Sequence, residues 1–315
     1  MFSLLSYGEV LVDFLPNTTD GAYQPLAGGA PANVAVAFAK LGGNSYFAGG
    51  ISNDNFGSML IQQLQHEGVN TTYVNTVKNA NTAIVLVSLD HTGERSFTFY
   101  RHDTADMYYE KSQIDLIKWQ DINVFHYCSN TLTNEQNHNN TLYALGRAKA
   151  NNVLISFDVN LRQQLWADLS LLPTRVERCI TESHIVKLSK DEAYDLALIK
   201  GVDIPSYVNF IMSLGVKLVV ITDGANEVQA ISSDYSLNIE VPKINALDTT
   251  AAGDSFIASF LFSLTQHVNT NQKDLFDVLQ DQAIVKSAVL FASKCGSLTC
   301  QKMGAFSALP SINEL

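Results

Sequence analysis

Short apolar runs alternate with amphipathic stretches along most of the chain. The apolar runs have the length of buried strands, and the stretches between them repeat their apolar positions every three to four residues, as helices do. This alternation predicts an α/β fold in which a parallel sheet carries helices on both faces. The predicted strands are 4–8, 46–50, 124–128, 153–158, 185–188 and 217–222, and the predicted helices are 32–41, 56–66, 135–150, 191–198 and 207–214.

Several strand-like segments do not fit that alternation. Two of them flank a glycine-containing turn at residues 90–94, which predicts a hairpin. They cannot all join the parallel core, so we expect a small separate sheet. Its predicted strands are 10–15, 22–25, 82–89 and 96–101, and a further hairpin is predicted to join 228–232 to 237–241.

Composition narrows the class of protein. With 315 residues, of which 46% are hydrophobic, the chain can bury a large core. Its net charge of −11 argues against nucleic acid or an anionic membrane as a partner. No apolar run approaches the ~20 residues that span a bilayer, and the first residues lack the basic region of a signal peptide. The four cysteines show no CxxC spacing, which favours reduced thiols and a cytoplasmic location.

One segment of small residues ends in an aspartate and leads directly into an apolar helix. Ala251, Ala252 and Gly253 have little or no side chain, so an anion can approach the N–H groups that begin the helix. Asp254 would repel that anion unless it serves as a general base for a hydroxyl that attacks a phosphate. The other interpretation is an ordinary helix cap with tight packing. The segment alone leaves both interpretations open.

A second helix begins in a similar way near the start of the chain. Gly28 and Gly29 precede Pro31, and an Ala/Val-rich helix follows. Asn33 lies in the first turn, where its amide can reach a ligand lying over the glycines. Two such helix starts, far apart in sequence, could serve two ligands.

These two motifs resemble the signatures of the ribokinase-like carbohydrate kinases, the phosphofructokinase-B family, and among its members the bacterial fructokinases most of all. Residues 8–13, 158–162, 189–192, 222–224 and 304–310 extend the resemblance along the chain. It implies a three-layer, Rossmann-like α/β fold and a single catalytic domain over residues 1–315. It also implies a discontinuous β lid, at about 10–26 and 82–104, that covers the sugar and forms a homodimer contact.

The same resemblance implies a role for individual residues on the sugar side. Asp254 would be the base, with Ala251, Ala252 and Gly253 as the anion cradle. Independently of the family, polar side chains that follow an apolar strand emerge at the ligand end of a parallel sheet, as residues 158–162 do. The implied sugar contacts are Asp13, Gly28, Gly29, Asn33, Arg101, Asn160 and Arg162.

On the nucleotide side the motifs depart more from the family pattern. Glu192 resembles the residue that organises Mg²⁺ through water, although a carboxylate there also suits the start of a helix. Asp223 stands where many relatives have an apolar residue, so its role is open. The implied nucleotide contacts are Lys187, Thr222, Gly224, Gly253 and Ser293, and Asp248 and Thr250 resemble a site for a monovalent cation such as K⁺.

The resemblance therefore implies an ATP- and Mg²⁺-dependent sugar kinase, with the 6-hydroxyl of D-fructose as the expected acceptor. A 2-keto-3-deoxygluconate or aminoimidazole riboside kinase stays open, because Arg101 and Arg162 could equally hold a carboxylate. A dinucleotide oxidoreductase would need Gly-x-Gly-x-x-Gly after the first strand, which is absent. A P-loop kinase is excluded by the lack of its glycine-lysine motif. A non-catalytic sugar-binding protein would not require an aspartate at position 254.

Overall fold

The computed structural model describes residues 2–16, 21–89, 95–271 and 274–315, and shows strands alternating with helices. The strands are β1 (Ser3–Tyr7), β2 (Leu11–Pro16), β3 (Tyr23–Gly28), β4 (Asn44–Ser52), β5 (Asn70–Val77), β6 (Ile84–Leu89), β7 (Arg95–Tyr100), β8 (Val124–Cys128), β9 (Leu154–Asp158), β10 (Ile185–Ser189), β11 (Leu218–Thr222), β12 (Val228–Ile231) and β13 (Ser236–Ile239). The helices are α1 (Ala30–Lys40), α2 (Asn55–His66), α3 (Lys111–Ile114), α4 (Glu135–Ala150), α5 (Leu172–Ile180), α6 (Lys190–Lys200), α7 (Ile204–Ser213), α8 (Ala252–Asn271) and α9 (Gln282–Thr299).

The larger sheet has the order β13-β12-β11-β10-β9-β8-β1-β4-β5. Its strands are parallel from β5 to β11, and β12 and β13 extend it as an antiparallel hairpin. The chain moves from β1 to β4 on one side and later from β8 to β9 on the other. A sheet whose connections diverge in this way opens a crevice at the carboxyl ends of its strands, where ligands bind.

Helices cover the two faces of this sheet and enclose two apolar cores. On one face α1, α8 and α9 pack together, and the core includes Val36, Phe260 and Val289. On the other face α4 to α7 pack over residues such as Tyr127 and Phe157, whose rings stack with centroids 4.7 Å apart. The inner parallel strands are mostly apolar because both of their faces are buried, whereas the edge strand β5 is not.

A second sheet stands over the carboxyl ends of the first. Its order is β3-β2-β6-β7, with β2 and β6 parallel and both outer pairs antiparallel. Side chains alternate between its two faces. Phe14 points away from the ligand crevice and packs edge-on against Phe56 of α2, with ring centroids 5.6 Å apart. Residues 11, 13, 85, 97 and 99 point the other way, into the crevice.

The structure confirms the α/β architecture and the separate small sheet. The predicted turn at 90–94 lies outside the described residues, but β6 and β7 on either side of it pair as a hairpin. The hairpin β12–β13 is confirmed too, and it extends the larger sheet. The sequence pattern missed β5, α3, α5 and α9. Strand β5 is an edge strand rich in Asn and Thr, with no apolar run to reveal it.

Candidate functional site

A cavity of about 820 Å³ lies between the carboxyl ends of the larger sheet and the small sheet. The apolar side of the cavity comes from the small sheet, through residues such as Phe97 and Phe99. The polar side comes from loops that follow β1, β8 and β9 and from the start of α8. A volume of this size suits two small molecules or one drug-sized ligand.

The start of α8 forms one end of the cavity. Ala251 has a left-handed φ of 59°, a conformation that costs a residue with a Cβ about 1–2 kcal/mol. Its carbonyl oxygen accepts the N–H of Ser255 at 2.8 Å, and the N–H of Ala252 donates to the carbonyl oxygen of Thr249 at 3.3 Å. The N–H groups of Gly253 and Asp254 lie between these two hydrogen-bonded positions. The first N–H groups of a helix have no intrahelical carbonyl partner and carry partial positive charge. The helix start predicted as an anion cradle is therefore formed, and it follows a strained alanine.

Asp254 lies beside that cradle with its carboxylate in the cavity. Asn33 of α1 donates to its Oδ2 from Nδ2 at 2.7 Å, which joins the two predicted helix starts directly. The pKa of Asp254 is raised to about 6, mainly by burial and also by the nearby Asp158 carboxylate. The Asn33 hydrogen bond and the positive charges of Lys187 and Arg162 act in the opposite direction. A carboxylate with a pKa near 6 is ionised at neutral pH and is more basic than an ordinary aspartate, as general-base catalysis requires.

A buried ion pair supports the same region from the neighbouring strands. Lys187 on β10 places Nζ 2.8 and 3.0 Å from the two carboxylate oxygens of Asp158 on β9. Burial lowers the pKa of Lys187, but the Asp158 and Glu192 carboxylates outweigh burial and raise it overall. A Cβ at Gly253 would lie 3.2 Å from Lys187 Nζ. The ammonium group therefore sits against the helix start, close to any anion bound there.

The glycine pair before α1 makes room for polar groups. A Cβ at Gly28 would collide with the carboxylate of Asp13. Gly29 has a φ of 106°, and a Cβ there would lie 2.8 Å from the carbonyl oxygen of Glu9. Only glycine fits at either position. The pair therefore allows Asp13, Gly29 and Asn33 to share one part of the cavity wall.

Arg101 lies behind this wall. It was expected to reach the sugar from the lid edge, but its side chain is 3% exposed and it does not belong to the cavity lining found among the described residues. Its Nε is 2.6 Å from Asp106, and its guanidinium donates to the carbonyl oxygen of Asn130 at 3.1 Å. The negative charges of Asp106 and Glu9 attract the Arg101 guanidinium into the protein interior. Asn160 and Arg162 do line the cavity, and Asn160 has a left-handed φ of 38°.

Three of the predicted nucleotide contacts lie outside the described lining of the cavity. Thr222 ends β11, Gly224 is exposed in the turn that follows, and Ser293 is buried in α9. Within the described chain, the Ser293 hydroxyl has no hydrogen-bond partner. Asp223, whose role the sequence left open, forms an exposed ion pair with Lys190 at 2.7 Å.

The predicted metal residues are held by backbone groups. Both carboxylate oxygens of Glu192 accept backbone N–H groups, from Leu161 at 2.7 Å and Ser189 at 2.8 Å. The bond from Ser189 is the contact expected of a carboxylate at the start of a helix. Asp248 accepts from the N–H groups of Thr250 and Gly304, each at 2.9 Å. Across the described ranges, no group of three or more His, Cys, Asp or Glu side chains is placed to hold a metal ion.

Sequence reasoning missed several polar residues of the cavity wall, among them Glu9 and Asn130. Glu9 follows β1 and is 1% exposed, and Asn130 follows β8 and is 6% exposed. Asn130 donates to a Glu9 carboxylate oxygen at 2.8 Å. Burial raises the pKa of Glu9, while Arg101 opposes that rise. Their position immediately after buried strands, at the ligand end of the sheet, was the signal that could have found them.

None of the helices in the described part of the chain combines the length and apolar character that crossing a membrane requires.

Comparison with known proteins gives a consistent result. A family model described as pfkB family carbohydrate kinase matches residues 1–312. Fructokinase-2 from Zea mays is 35% identical over 98% of this chain and 91% of its own length. Fructokinase from Xylella fastidiosa with bound ATP superposes with a TM-score of 0.93 at 32% identity, covering 99% of this chain and 96% of that one.

Two further solved structures bear on ligands. A fructokinase double mutant from Vibrio cholerae, with fructose, ADP and potassium bound, has a TM-score of 0.88 at 32% identity, covering 98% of this chain and 96% of that chain. Aminoimidazole riboside kinase from Salmonella enterica, bound to aminoimidazole riboside and an ATP analogue, has a TM-score of 0.85 at 27% identity, covering 99% and 98%.

Proposed function

Because the chain belongs to the pfkB family of carbohydrate kinases, we propose that it is an ATP-dependent fructokinase that phosphorylates the 6-hydroxyl of D-fructose. The observation that carries this proposal is the Asp254 carboxylate, with a pKa near 6, beside the N–H groups that begin α8. The choice of fructose is supported by the fructokinases at about one-third identity over nearly the whole chain.

In the proposed reaction Asp254 takes the proton of the attacking sugar hydroxyl. The N–H groups of Ala252, Gly253 and Asp254 then stabilise negative charge on the transferring phosphoryl group. Asn33 holds the Asp254 carboxylate in place, and Lys187 adds positive charge beside Gly253. The oxygen–phosphorus bond to the sugar forms as the bond to the ADP oxygen breaks. Asp254 afterwards returns its proton to solvent.

The sugar is proposed to lie between the Gly28–Gly29 pair and the small sheet. Asp13 and Asn33 would accept hydroxyl hydrogens, and Asn160 and Arg162 would contact the end of the sugar nearer the phosphate. The small sheet acts as a lid that excludes water and limits wasteful ATP hydrolysis. Thr222, Gly224 and Ser293 are proposed to contact the nucleotide beyond the cavity described above.

Two metal ions are part of the proposal. Mg²⁺ keeps most of its hydration shell, which suits Glu192, whose carboxylate oxygens each already accept one backbone N–H and can still hold a water. When bound with ATP, Mg²⁺ neutralises charge on the phosphates. The Asp248 carboxylate accepts the N–H groups of Thr250 and Gly304, and so joins the two chain segments that would surround a K⁺ ion.

A sugar acid or aminoimidazole riboside is the second candidate substrate. The exposed Arg162 side chain in the cavity wall could pair with a carboxylate, and a solved aminoimidazole riboside kinase shares the fold at 27% identity. Arg101 is less suited to that role because Asp106 already pairs with it.

A coupled ADP-release assay decides between these substrates. The purified protein is given ATP, Mg²⁺ and K⁺ with fructose, ribose, tagatose, 2-keto-3-deoxygluconate or a nucleoside. We expect fructose to give the highest kcat/KM. A different leading sugar would replace fructose in the proposal and leave the kinase assignment intact, whereas no ADP release with any sugar would overturn the proposal.

A further inference from the structure

The cavity wall contains a buried amide that no sequence motif marked. We propose that Asn130 is a sugar-binding residue that accepts a hydroxyl hydrogen, and that Glu9 is a positioning residue that fixes this polarity. The inference rests on the proposed sugar kinase function and names one determinant of its specificity.

Within the described residues, the amide oxygen of Asn130 is buried and unpaired in a residue of the cavity wall. Asn130 is 6% exposed and lines the cavity. Its Nδ2 donates to Glu9 Oε1 at 2.8 Å, whereas its Oδ1 is buried and has no hydrogen-bond partner among the residues that the structure describes. A buried acceptor without a partner is costly, so an unpaired one at the wall of a cavity indicates the place of a ligand donor.

Glu9 determines which end of the amide faces the cavity. Its side chain is 1% exposed and an ionised carboxylate can only accept hydrogen bonds. Burial raises the pKa of Glu9, and the guanidinium of Arg101 opposes that rise by attracting the ionised carboxylate. If the Asn130 amide rotated by half a turn, its oxygen would face the Glu9 carboxylate and the two would repel. An ionised Glu9 therefore keeps Oδ1 as the end of the amide that is unpaired in the described chain, and we infer that a sugar hydroxyl supplies its missing donor.

Asn33, which also lines the cavity, shows the same arrangement. Its Nδ2 donates to Asp254 at 2.7 Å, and its Oδ1 is also buried without a partner in the described chain. Each amide is thus oriented by a carboxylate and offers an acceptor. A sugar hydroxyl satisfies such an acceptor, while a carboxylate or a missing hydroxyl cannot. Near Asn130 the Glu9 charge adds repulsion toward an acidic ligand, which favours neutral sugars.

The test is a cycle between protein variants and substrate variants. Wild type and Asn130→Ala are assayed with fructose and with the 1-, 3- and 4-deoxy analogues, which keep the reacting 6-hydroxyl. With fructose, Asn130→Ala is expected to lower kcat/KM about five- to a hundredfold, the effect of losing a hydrogen bond in a desolvated site. With one deoxy analogue the wild type and the variant should become equal, because the hydroxyl that Asn130 binds is already missing.

Three controls keep this test decisive. Asn130→Ser retains a donor for Glu9 but is too short to reach the ligand, so it replaces the alanine variant if that variant does not fold. Asn140→Ala removes a buried amide that donates to Tyr109 outside this cavity, and should show no dependence on the analogue. Glu9→Gln supplies a side chain that can also donate, which frees the Asn130 amide to rotate, so the coupling should shrink.

The outcomes separate the two proposals. Wild-type turnover reports on the proposed function, and if another sugar is preferred the cycle is run on the deoxy series of that sugar. A loss in Asn130→Ala and Asn130→Ser that is equal for every analogue, or no loss at all, overturns the role of Asn130. Unchanged coupling in Glu9→Gln overturns the positioning role of Glu9.

Discussion

Asp254 shows how the surroundings of one residue change its chemistry. An aspartate in water is a weak base, but burial raises the pKa of this one to about 6. The Asn33 hydrogen bond and the positive charges of Lys187 and Arg162 hold that rise in check. The result is a carboxylate that is ionised at neutral pH and still basic enough to accept a hydroxyl proton.

Replacing Asp254 by asparagine tests its role directly. Asparagine keeps the shape of the side chain and can still accept the Asn33 hydrogen bond, but it cannot take a proton. We expect kcat to fall at least ~10²-fold while ATP affinity holds or improves, because a negative charge leaves the phosphate site. Steady-state kinetics and ATP titration measure both quantities. Turnover near that of wild type would show that Asp254 is not the base.

The pH dependence follows from the raised pKa. The base acts only when ionised, so kcat/KM of the wild type should fall below pH about 6 and reach a plateau above it. The residual activity of Asp254→Asn should lack this acidic limb.

The same shift predicts an effect on stability. Folding raises the pKa of Asp254, so its protonated form favours the folded state below pH ~4, and that contribution is lost as the pH rises through about 6. An asparagine does not ionise, so the Asp254→Asn variant does not lose this stability as the pH rises. The variant should therefore unfold at a higher temperature than wild type at pH 7, with little difference near pH 4. Equal melting temperatures at pH 7 would contradict the raised pKa.

At the scale of elements, adjacent strand ends set the electrostatics of the site. Strands β9 and β10 are neighbours in the sheet, which places the carboxylate of Asp158 against the ammonium of Lys187. Both charges act on Asp254 at the start of α8, in opposite directions. The sheet thus contributes to the basicity of an aspartate that belongs to a helix.

Asp158→Asn tests that coupling between elements. Removing the carboxylate takes away a repelling charge and leaves Lys187 less neutralised, and both changes lower the pKa of Asp254. The acidic limb of the kcat/KM profile should therefore move to lower pH. The control is Asp223→Asn, which breaks an exposed pair with Lys190 after the next strand and should leave the limb in place. A limb that stays or moves upward in Asp158→Asn would contradict this account.

At the scale of the whole molecule, the small sheet has two different faces. One lines the cavity, and the other is covered by α2 at β2 but open at β7, where Tyr100 is 56% exposed. A homodimer through this sheet, as proposed from the family resemblance, would cover that open edge and connect lid movement in two subunits.

Tyr100→Asp should weaken such a dimer, because a charge would be desolvated in the interface. Sedimentation velocity at several concentrations measures the effect. Leu198→Asp is the matched control, since Leu198 is 63% exposed on α6 and far from the small sheet in the fold. A wild-type protein that sediments as a monomer, or equal behaviour of the two variants, would contradict the proposed dimer.

The sequence by itself determined the α/β class, most core strands and helices, and the two helix starts at Asn33 and Asp254. These are local signals, since apolar periodicity and small residues before a helix act over a few positions. Only the tertiary structure decided that Asn33 bonds Asp254, that Arg101 turns inward to Asp106, and that Glu9 orients Asn130. Each of those contacts depends on which strands become neighbours and on which charges become buried together, and no single segment of the chain contains that information.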